Sequence, residues 1–563
     1  MRNLEHHVDF CVVGGGLAGL SAALAAARRG VRVLLMQDRP VLGGNSSSEI
    51  RMWVCGAHGR DNREGGICEE LSLENFYQNP SSRYALWDAT LYGTAIAEEN
   101  LTLLLNCTCQ DAEMEDGRIV SVTGWQLNTE TYHTVYARHF ADCSGDSILA
   151  PLTGAPVMYG REAKSAYGES IPPDEADRKT MGMSCLFQIR ETDHKTTFVP
   201  PKWAYSYPSD ADIPFREHGL DSNFWWIEIG GEGDCIHDSD ACRDELIKIA
   251  YGVWDHVKNH GDHGADNWEM EWIGFLPGKR ESRRYVGAYV VTENDVLAEG
   301  RFADTVAYAG WTMDDHFPAG IHHMTSHPTI YHPAPSPWGI PFRALYSAEI
   351  PNLMFAGRNI SVTHAALSSC RVMGTCTLLG QAIGTAAAVM HEEGSDPATL
   401  DISRLQAYLM EDDCHLPGFS RVVSPLTLAA ESNAPVLRNG IDRGEENCWI
   451  AGEGARVEYS FREPTDIRGV RLVFDSDLNR NYHNMPCAYP LHETRYKTPV
   501  TLISDYTLVF THADGSESRY SYTENHLRLV RHAYEEREVV RVSFIPEKTQ
   551  GCSEYRLFSF EVL

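Results

Sequence analysis

Three glycines near the start of the chain constrain the fold more than any other feature. Residues 9–13 form a short apolar strand, and residues 17–29 form a helix of small side chains. The motif Gly14-x-Gly16-x-x-Gly19 joins them. Gly14 permits a tight turn, Gly16 lets a pyrophosphate approach the backbone, and Gly19 lets the helix pack closely on the strand. The arrangement predicts a β-α-β unit that binds a dinucleotide at the positive end of the helix.

The residue after the second strand departs from the usual form of this motif. Residues 31–36 form an aliphatic strand, and an acidic side chain normally follows to bind the ribose hydroxyls. Here Gln37 occupies that position and Asp38 comes next. An amide oxygen can accept a hydroxyl hydrogen bond, although without the strength of a carboxylate. We therefore favour Gln37 over Asp38 for the ribose contact.

The composition argues against several classes of partner. The chain has 48 Lys and Arg against 78 Asp and Glu, a net charge of −30. Such a surface repels phosphate backbones and anionic lipids, so we expect neither nucleic-acid nor membrane binding. The 15 cysteines are scattered, without the paired spacing of zinc sites, which favours a reducing compartment and no metal. No apolar signal segment precedes the first strand, so we expect a cytoplasmic protein.

Four segments together resemble the FAD-dependent oxidoreductase family, a distant relation of the glutathione-reductase and fumarate-reductase flavoproteins. They are QDRPVLGGNSSSEIRM at 37–52, GREAKSAYGES at 160–170, RESRRYVGAYVVTENDV at 280–296 and NLMFAGRNISVTHAALSSCRVMGTCTLLGQAIGTAAA at 352–388. They lie in order within residues 8–420, and the resemblance implies FAD as the cofactor. Members of the family usually carry Glu at the position of Gln37.

The resemblance also implies further contacts to the cofactor. Those along the ribityl chain and flavin are Arg39, Gly43, Gly44, Asn45 and Ser46. Those on the adenosine side are Ser144, Gly145 and Asp146. Those after a later strand are Gly357, Arg358 and Asn359, followed by Gly374 and Thr375 at the start of a helix. The positive end of that helix would stabilise the negative charge of a reduced flavin.

Resemblance and composition together predict the domain organisation. An α/β FAD-binding domain of Rossmann type is expected in two parts, residues 1–155 and 346–428. Residues 156–345, rich in Trp, His, Tyr and Pro, are expected to form an inserted α+β substrate domain. Residues 429–563 show short alternating strands separated by polar turns, which predicts an all-β jelly-roll sandwich.

The predicted sandwich resembles galactose-binding-like, or discoidin-type, modules. Such modules often bind glycans, and a structural or dimerisation role is an equal alternative. Trp449, Tyr459 and Tyr482 are candidates for stacking on a sugar, although aromatic residues of a sandwich more often belong to its core.

The chain has no second glycine fingerprint, so we expect the substrate to exchange hydride directly with the flavin. Oxidation of an alcohol needs a base, and His is suited to this near neutral pH. The candidates are His316, His322, His323 and His364. Adjacent strand residues face opposite ways, which disfavours a metal site at the paired histidines. Arg280 and Arg283 are expected to hold a substrate oxyanion, unless the run RESRR is a solvated charge cluster.

These observations lead to a ranked set of functions. The first is a flavin-dependent dehydrogenase or oxidase of a polar, carbohydrate-derived small molecule or glycan, with an electron acceptor that the sequence does not specify. The second is a reductase of the activated C=C bond of a carboxylate, motivated by the arginine cluster. The third is a glycan-binding protein that holds FAD for stability. A homo-oligomer is compatible with all three.

Overall fold

The computed structural model describes residues 1–480, 487 and 497–563, so Tyr482 lies outside the described residues. Helices cover Leu17–Arg28, Gly66–Gln78, Tyr84–Ile96, Leu149–Thr153, Lys164–Tyr167, Ser239–Asn259, Glu293–Leu297, His364–Cys370, Met373–Glu393, Ile402–Glu411 and Pro425–Ala429. Each is described below only where it positions the site.

A parallel five-stranded sheet forms the centre of the nucleotide-binding part. Its strand order is Leu353–Phe355, His139–Asp142, Phe10–Val13, Val33–Met36 and Leu101–Leu104. The side chains of the three inner strands are buried, as expected when both faces of a parallel sheet are covered. The carboxyl ends of the strands meet at one edge, which is where open α/β sheets bind their ligands. The predicted α/β fold is confirmed.

Two predicted strands have different limits in the structure. The segment predicted as one strand over 134–140 is two strands, Thr131–Tyr136 and His139–Asp142, because the chain leaves one sheet and enters another between them. Thr131–Tyr136 belongs to a four-stranded sheet with Cys107–Glu115, Arg118–Gln126 and Arg2–His7. Arg2–His7 was not predicted as a strand, because its side chains are polar and lie at an exposed edge.

The inserted region has a hydrophobic core of its own. Helix Ser239–Asn259 packs Leu246, Val253 and Trp254 into it. The surrounding strands pair as Met183–Ser184 with Glu228–Ile229 and Gly278–Lys279, and as Phe187–Glu191 with Trp268–Ile273.

Short β-hairpins follow at Thr305–Ala309 with Trp338–Pro341, and at Met313–His316 with Thr329–His332. Tyr308 and Trp338 of the first hairpin pack in the core of the nucleotide-binding part, although both fall inside the predicted insertion. The domain boundaries at 155 and 345 stay predictions.

The C-terminal part is the predicted antiparallel β-sandwich. Its strand order is Trp449–Ala451, Tyr555–Val562, Val457–Phe474, Leu529–Thr549, Ile503–His512 and Glu517–Tyr522, with Glu431–Ser432 at the side of Val457–Phe474. The prediction of separate strands at 455–461 and 469–474 was wrong, because register shifts keep one bent strand continuous through the intervening residues. Tyr459 is fully buried and donates to the Phe560 carbonyl, so it is a core residue and cannot stack on a sugar.

Helix Met373–Glu393 is the one described helix long and apolar enough to cross a membrane by composition. In the structure 94% of its most apolar window is buried inside the protein. Gly380 and Gly384 bring it against helix Leu17–Arg28: a Cβ on either would lie 1.9 Å and 2.1 Å from the carbonyl oxygens of Ala18 and Ala22. The helix is therefore a packed core element.

Candidate active site

A cavity of about 620 Å³ opens at the carboxyl edge of the parallel sheet and extends to the inserted region. The predicted cofactor residues that line it are Gly14, Gly16, Gln37, Asp38, Arg39, Gly43, Gly44, Asn45, Ser144, Gly145, Asp146, Gly357 and Arg358. Of the predicted catalytic residues, Arg280, Arg283 and His316 line it. The sequence segments thought to share one ligand therefore come together around one space.

The glycine turn forms a cradle that an anion can enter. A Cβ on Gly16 would meet nothing closer than the Gly44 Cα at 3.8 Å, so the space in front of this residue is open. Gly14 has φ +104 and a Cβ there would lie 2.5 Å from the Cys143 backbone, whereas a Cβ on Gly19 would lie 1.8 Å from the Gly14 oxygen. Among the described residues no side chain caps the N-terminus of helix Leu17–Arg28. Its free N–H groups suit a pyrophosphate.

Gln37 uses its amide to hold the loops around the cradle. Its Oε1 accepts from the Gly15 N–H at 2.6 Å, and its Nε2 donates to the Val41 carbonyl at 3.2 Å. The side chain is buried but still lines the cavity, and one lone pair of Oε1 is left for a ribose hydroxyl. Asp38 also lines the cavity, with a side chain 60% exposed. The ribose assignment to Gln37 stays a prediction.

The loop after the second strand is fixed to the glycine turn by its backbone. The Gly43 N–H donates to the Gly15 carbonyl at 2.9 Å, and Gly43 has φ +96. Asn45 donates to the Lys279 carbonyl at 3.1 Å, which ties the loop to the inserted region. Ser46 lies outside the cavity wall: its hydroxyl donates to the Gly43 carbonyl at 2.9 Å. Ser46 therefore holds the loop in place and does not face the ligand.

Asp146 organises a cluster of basic side chains on the cavity wall. Its Oδ1 accepts from Arg358 Nη2 at 2.7 Å and from the Ser282 hydroxyl at 2.8 Å, and its Oδ2 accepts from Lys279 Nζ at 2.7 Å. Burial opposes the charged form, but Arg358 and Lys279 lower the pKa of Asp146. The Nε of Arg358 is buried and without a hydrogen-bond partner in the described part of the chain. With Arg283 and Arg39 also on the wall, the cluster suits a diphosphate.

The remaining predicted cofactor residues lie behind the wall. Asn359 is buried and donates to the Asp142 carbonyl at 3.2 Å. The Gly374 N–H donates to the Cys55 carbonyl at 2.9 Å, and Thr375 is fully buried. The residues of this helix that line the cavity are Val372 and Met373. The helix N-terminus thus faces the ligand, one step earlier in the chain than predicted.

A row of buried charges closes the end of the cavity formed by the inserted region. Arg280 Nη1 lies 3.4 Å from Glu228 Oε2, and the same oxygen lies 2.6 Å from His316 Nδ1. On the other side, His316 Nε2 lies 3.1 Å from Asp314 Oδ2, which Arg371 Nη2 approaches at 3.1 Å. We call Arg280, Glu228, His316, Asp314 and Arg371 the charge row.

The electrostatics of the charge row favour an anion in the cavity. Burial opposes a charged imidazole, but Glu228 and Asp314 raise the pKa of His316. Burial likewise opposes a charged Asp314, but His316 and Arg371 lower its pKa. The row therefore holds three positive and two negative groups. Four of its members, Arg280, His316, Asp314 and Arg371, reach the cavity wall.

Aromatic side chains form the walls beside the charge row. Trp225, Trp311 and Tyr331 line this end of the cavity. Such rings offer apolar faces to the C–H side of a polyhydroxylated ligand while charged groups hold its polar end. Cys55 lines the same region, and burial raises the pKa of its thiol to about 12, so it stays protonated.

Three predicted catalytic histidines lie away from the cavity. His364 is buried behind the wall with Nδ1 2.9 Å from Glu281 and Nε2 3.1 Å from Asp315. Burial opposes its charge, but these carboxylates raise the pKa of His364 to about 10. His322 is exposed, and His323 stacks on Phe317 with centroids 3.7 Å apart. This geometry does not support a role as base for any of them.

Sequence reasoning missed four charged residues of the site. They are Glu228, Lys279, Asp314 and Arg371. Asp314 stands two residues before His316, and Lys279 directly precedes Arg280, so both were adjacent to recognised candidates. Arg371 falls inside the segment 352–388 that carries the family resemblance. Glu228 had no signal in the sequence, because its partners are distant in the chain.

Comparison with known proteins identifies the family from sequence. A family model described as FAD dependent oxidoreductase matches residues 9–409. NADH:acrylate oxidoreductase of Vibrio harveyi is 49% identical over 45 residues, which are 8% of this chain and 4% of that protein. The matched segment thus spans a small fraction of that relative.

Two solved structures show likeness of fold over different parts of the chain. A geranylgeranyl bacteriochlorophyll reductase-like protein from Thermoplasma acidophilum is 13% identical, with 73% of this chain and 85% of that chain covered and a TM-score of 0.32. A family 32 carbohydrate-binding module from Streptococcus pneumoniae is 11% identical, with 25% and 99% covered and a TM-score of 0.20. Likenesses this low carry no argument about ligands.

Proposed function

The chain belongs to the FAD dependent oxidoreductase family and is an enzyme with FAD as its cofactor; from this premise we propose that it exchanges hydride between the flavin and a polar, carbohydrate-derived substrate that bears an anionic group. The observation that carries the proposal is the charge row beside Trp225 and Trp311 at the end of the cavity. Family membership displaces the alternative of a non-enzymatic protein with structural FAD.

FAD, when bound, supplies the two-electron acceptor or donor. The residues of the chain supply binding and orientation. Arg280 and Arg371 present guanidinium groups to an anionic group of the substrate, and the aromatic rings pack on its apolar face. Ser184 and the Trp225 carbonyl accept from Arg280 at 2.9 Å each, which fixes the direction of that guanidinium. A fixed donor costs little entropy when the substrate binds.

A second function is favoured by the state of the imidazoles. Both ring nitrogens of His316 contact carboxylates, and its pKa is raised. Such a ring holds a proton near neutral pH and is a better acid than base. This supports reduction of an activated C=C bond of a carboxylate, in which His316 or a neighbouring arginine would deliver a proton to carbon.

The sandwich and the cellular setting also remain proposals. A reducing, cytoplasmic location is supported by the 15 cysteines, all of which are free. Glycan binding by the sandwich loses Tyr459 as a candidate and keeps half-buried Trp449. Partners beyond a small-molecule substrate are not required by the site.

Anaerobic flavin spectroscopy separates the two reactions. The holoenzyme is mixed with sugars, sugar acids and other hydroxy acids, and loss of the oxidised-flavin absorbance is followed. The reduced enzyme is then mixed with unsaturated acids, and return of that absorbance is followed. Bleaching by a sugar acid supports the first function. Reoxidation by an unsaturated acid, with no bleaching by any hydroxylated compound, would replace it by the second.

A further inference from the structure

We propose that the inserted region binds a divalent metal, Zn²⁺ by its ligand chemistry, through Asp210, His218, His256 and His263. These residues are remote from the flavin reaction, since none of them lines the cavity. One ligand atom from each lies within 4.8 Å of all the others. Three imidazoles and one carboxylate form a donor set that zinc prefers.

The distances within the cluster match a tetrahedral centre. His256 Nε2 lies 3.1 Å from Asp210 Oδ1 and 3.3 Å from His218 Nδ1. His218 Nδ1 and His263 Nε2 each lie 3.8 Å from the same carboxylate oxygen. Zinc bonds of about 2.1 Å place tetrahedral ligands about 3.4 Å apart. The donors therefore need shifts of only a few tenths of an ångström to surround an ion.

Hydrogen bonding orients His256 as a ligand. Its Nδ1 lies 2.7 Å from the Tyr207 carbonyl, which accepts only from a protonated nitrogen. In the neutral ring Nε2 then carries a lone pair that faces a carboxylate oxygen and another imidazole nitrogen. Lone pairs so placed repel unless a cation lies between them. A backbone carbonyl on the outer nitrogen is the usual support of a metal-bound histidine.

The other two histidines are also prepared for a metal. His263 Nε2 is buried and has no hydrogen-bond partner among the described residues. Burial lowers the pKa of His218 to about 4, and the neighbouring His256 and His263 lower it further in the same direction. At neutral pH His218 is thus uncharged, which is the form that binds metal.

The position of the cluster suggests what the metal does. Asp210 lies on the one-turn helix Asp210–Asp212, and His256 lies in the last turn of Ser239–Asn259. The ion would join these elements to the loops that carry His218 and His263. The chain from His218 leads within a few residues to Asn223 and Trp225, which line the flavin cavity. Four protein ligands make the centre structural, and it would hold this wall of the cavity in place.

Metal analysis of the full-length, untagged holoenzyme tests the proposal. We expect about one zinc per chain by mass spectrometry of the metals, and visible absorption bands of tetrahedral Co²⁺ after chelation and cobalt addition. His263→Ala should lower metal content at least about tenfold. His260→Ala is the matched control, because His260 lies in the same loop but contacts Asp255 at 3.2 Å instead of the cluster.

Flavin content distinguishes loss of metal from loss of the fold. We expect His263→Ala to keep its FAD and lose its zinc. Wild-type protein with full FAD that contains no zinc and takes up neither Zn²⁺ nor Co²⁺ would overturn the proposal. Equal metal binding by the His263→Ala and His260→Ala variants would overturn it as well. If His263→Ala does not fold, the cobalt spectrum of the wild-type protein and its reversal by chelator decide the question.

Discussion

Single glycines of the nucleotide turn have different physical roles, which substitution can separate. Gly16 has φ −64 and open space before its absent side chain, whereas Gly19 touches the Gly14 carbonyl. Gly16→Ala should therefore fold and bind FAD at least about tenfold more weakly, because the methyl group fills the space meant for phosphate. Gly19→Ala should yield little folded protein, because the helix must move off the strand. FAD titration and the melting temperature of both variants measure this. Equal FAD affinity of Gly16→Ala and the wild type would contradict the assignment.

The bridge formed by His364 makes stability depend on pH. The Glu281–His364–Asp315 contacts raise the pKa of His364 to about 10, above the ordinary histidine value of 6.5. A raised pKa gives stability that is complete below about pH 6.5 and is lost as the pH rises toward 10. Replacing His364 by Gln should cost about 3–5 kcal/mol near pH 6, since it leaves buried carboxylates without their partner.

Thermal unfolding of wild type and the His364→Gln variant at several pH values measures this contribution. The difference between them should shrink as the pH rises from about 6.5 to about 9. A difference that stays constant over this range would show that the imidazole is neutral in the folded protein.

The site was predictable from sequence only where chemistry is local. Gly14, Gly16 and the loop of Gly43 and Gly44 were found because their spacing alone specifies a turn beside phosphate. The histidines were not sorted by sequence, since an exposed His322 and a buried His316 carry the same letter. The metal cluster was missed because its donors come from distant segments and include no cysteine pair.

At the scale of elements, contact between two helices positions the nucleotide cradle. Gly384 lets helix Met373–Glu393 reach the backbone of Ala22 on helix Leu17–Arg28. Gly384→Ala should cost about 1–3 kcal/mol through overpacking. Gly93→Ala is the matched control: it is also in a helix, nothing lies within 4 Å of its added Cβ, and it should be neutral or stabilising by up to about 1 kcal/mol. Melting temperatures compare them, and an equal effect of the two substitutions would disprove close packing at Gly384.

Strand limits show why elements are predicted better than their ends. Phe10–Val13 and Val33–Met36 were found because strands buried on both faces are uniformly apolar. The long strand Val457–Phe474 was divided in the prediction because exposed polar residues interrupt its apolar pattern. Hydrogen bonds to Leu529–Thr549 continue through that interruption, and such pairing over long sequence separations leaves no local signal.

At the scale of the whole molecule, the sandwich is joined to the nucleotide-binding part through its core. Leu73 and Phe76 of helix Gly66–Gln78 belong to the hydrophobic cluster of the sandwich. On the same helix, Glu69 accepts from Arg480 in a bidentate pair of 2.7 Å and 2.6 Å. Both side chains of this pair are almost fully buried. These contacts make the sandwich an integral part of the enzyme.

Removing a charge from the interface should destabilise the entire chain. Glu69→Gln leaves the Arg480 guanidinium buried beside a neutral amide and should cost about 3–5 kcal/mol. Glu70→Gln is the matched control, because the next residue pairs with Arg28 at a more exposed site, at a cost of about 0–1 kcal/mol. Unfolding followed by flavin release and by circular dichroism should shift together in Glu69→Gln. Similar shifts for the two variants would contradict an integral interface.

The charge of the molecule contrasts with that of its cavity. The chain carries a net charge of −30, yet Arg39, Lys279, Arg280 and Arg371 converge on one internal space. A positive cavity in an acidic protein concentrates anions at one place and repels them elsewhere. This distribution suits a diphosphate cofactor at one end and an anionic substrate at the other.

The rate of flavin reduction by sugar acids in Arg371→Gln tests the central claim most directly. Stopped-flow mixing under anaerobic conditions compares wild type, Arg371→Gln and Arg301→Gln, whose arginine is 80% exposed and serves as the control. The account predicts reduction by a carboxylate-bearing sugar derivative that slows about 10-fold to 100-fold in Arg371→Gln and is unchanged in Arg301→Gln. Reduction by neutral sugars alone, at the same rate in all three proteins, would contradict it.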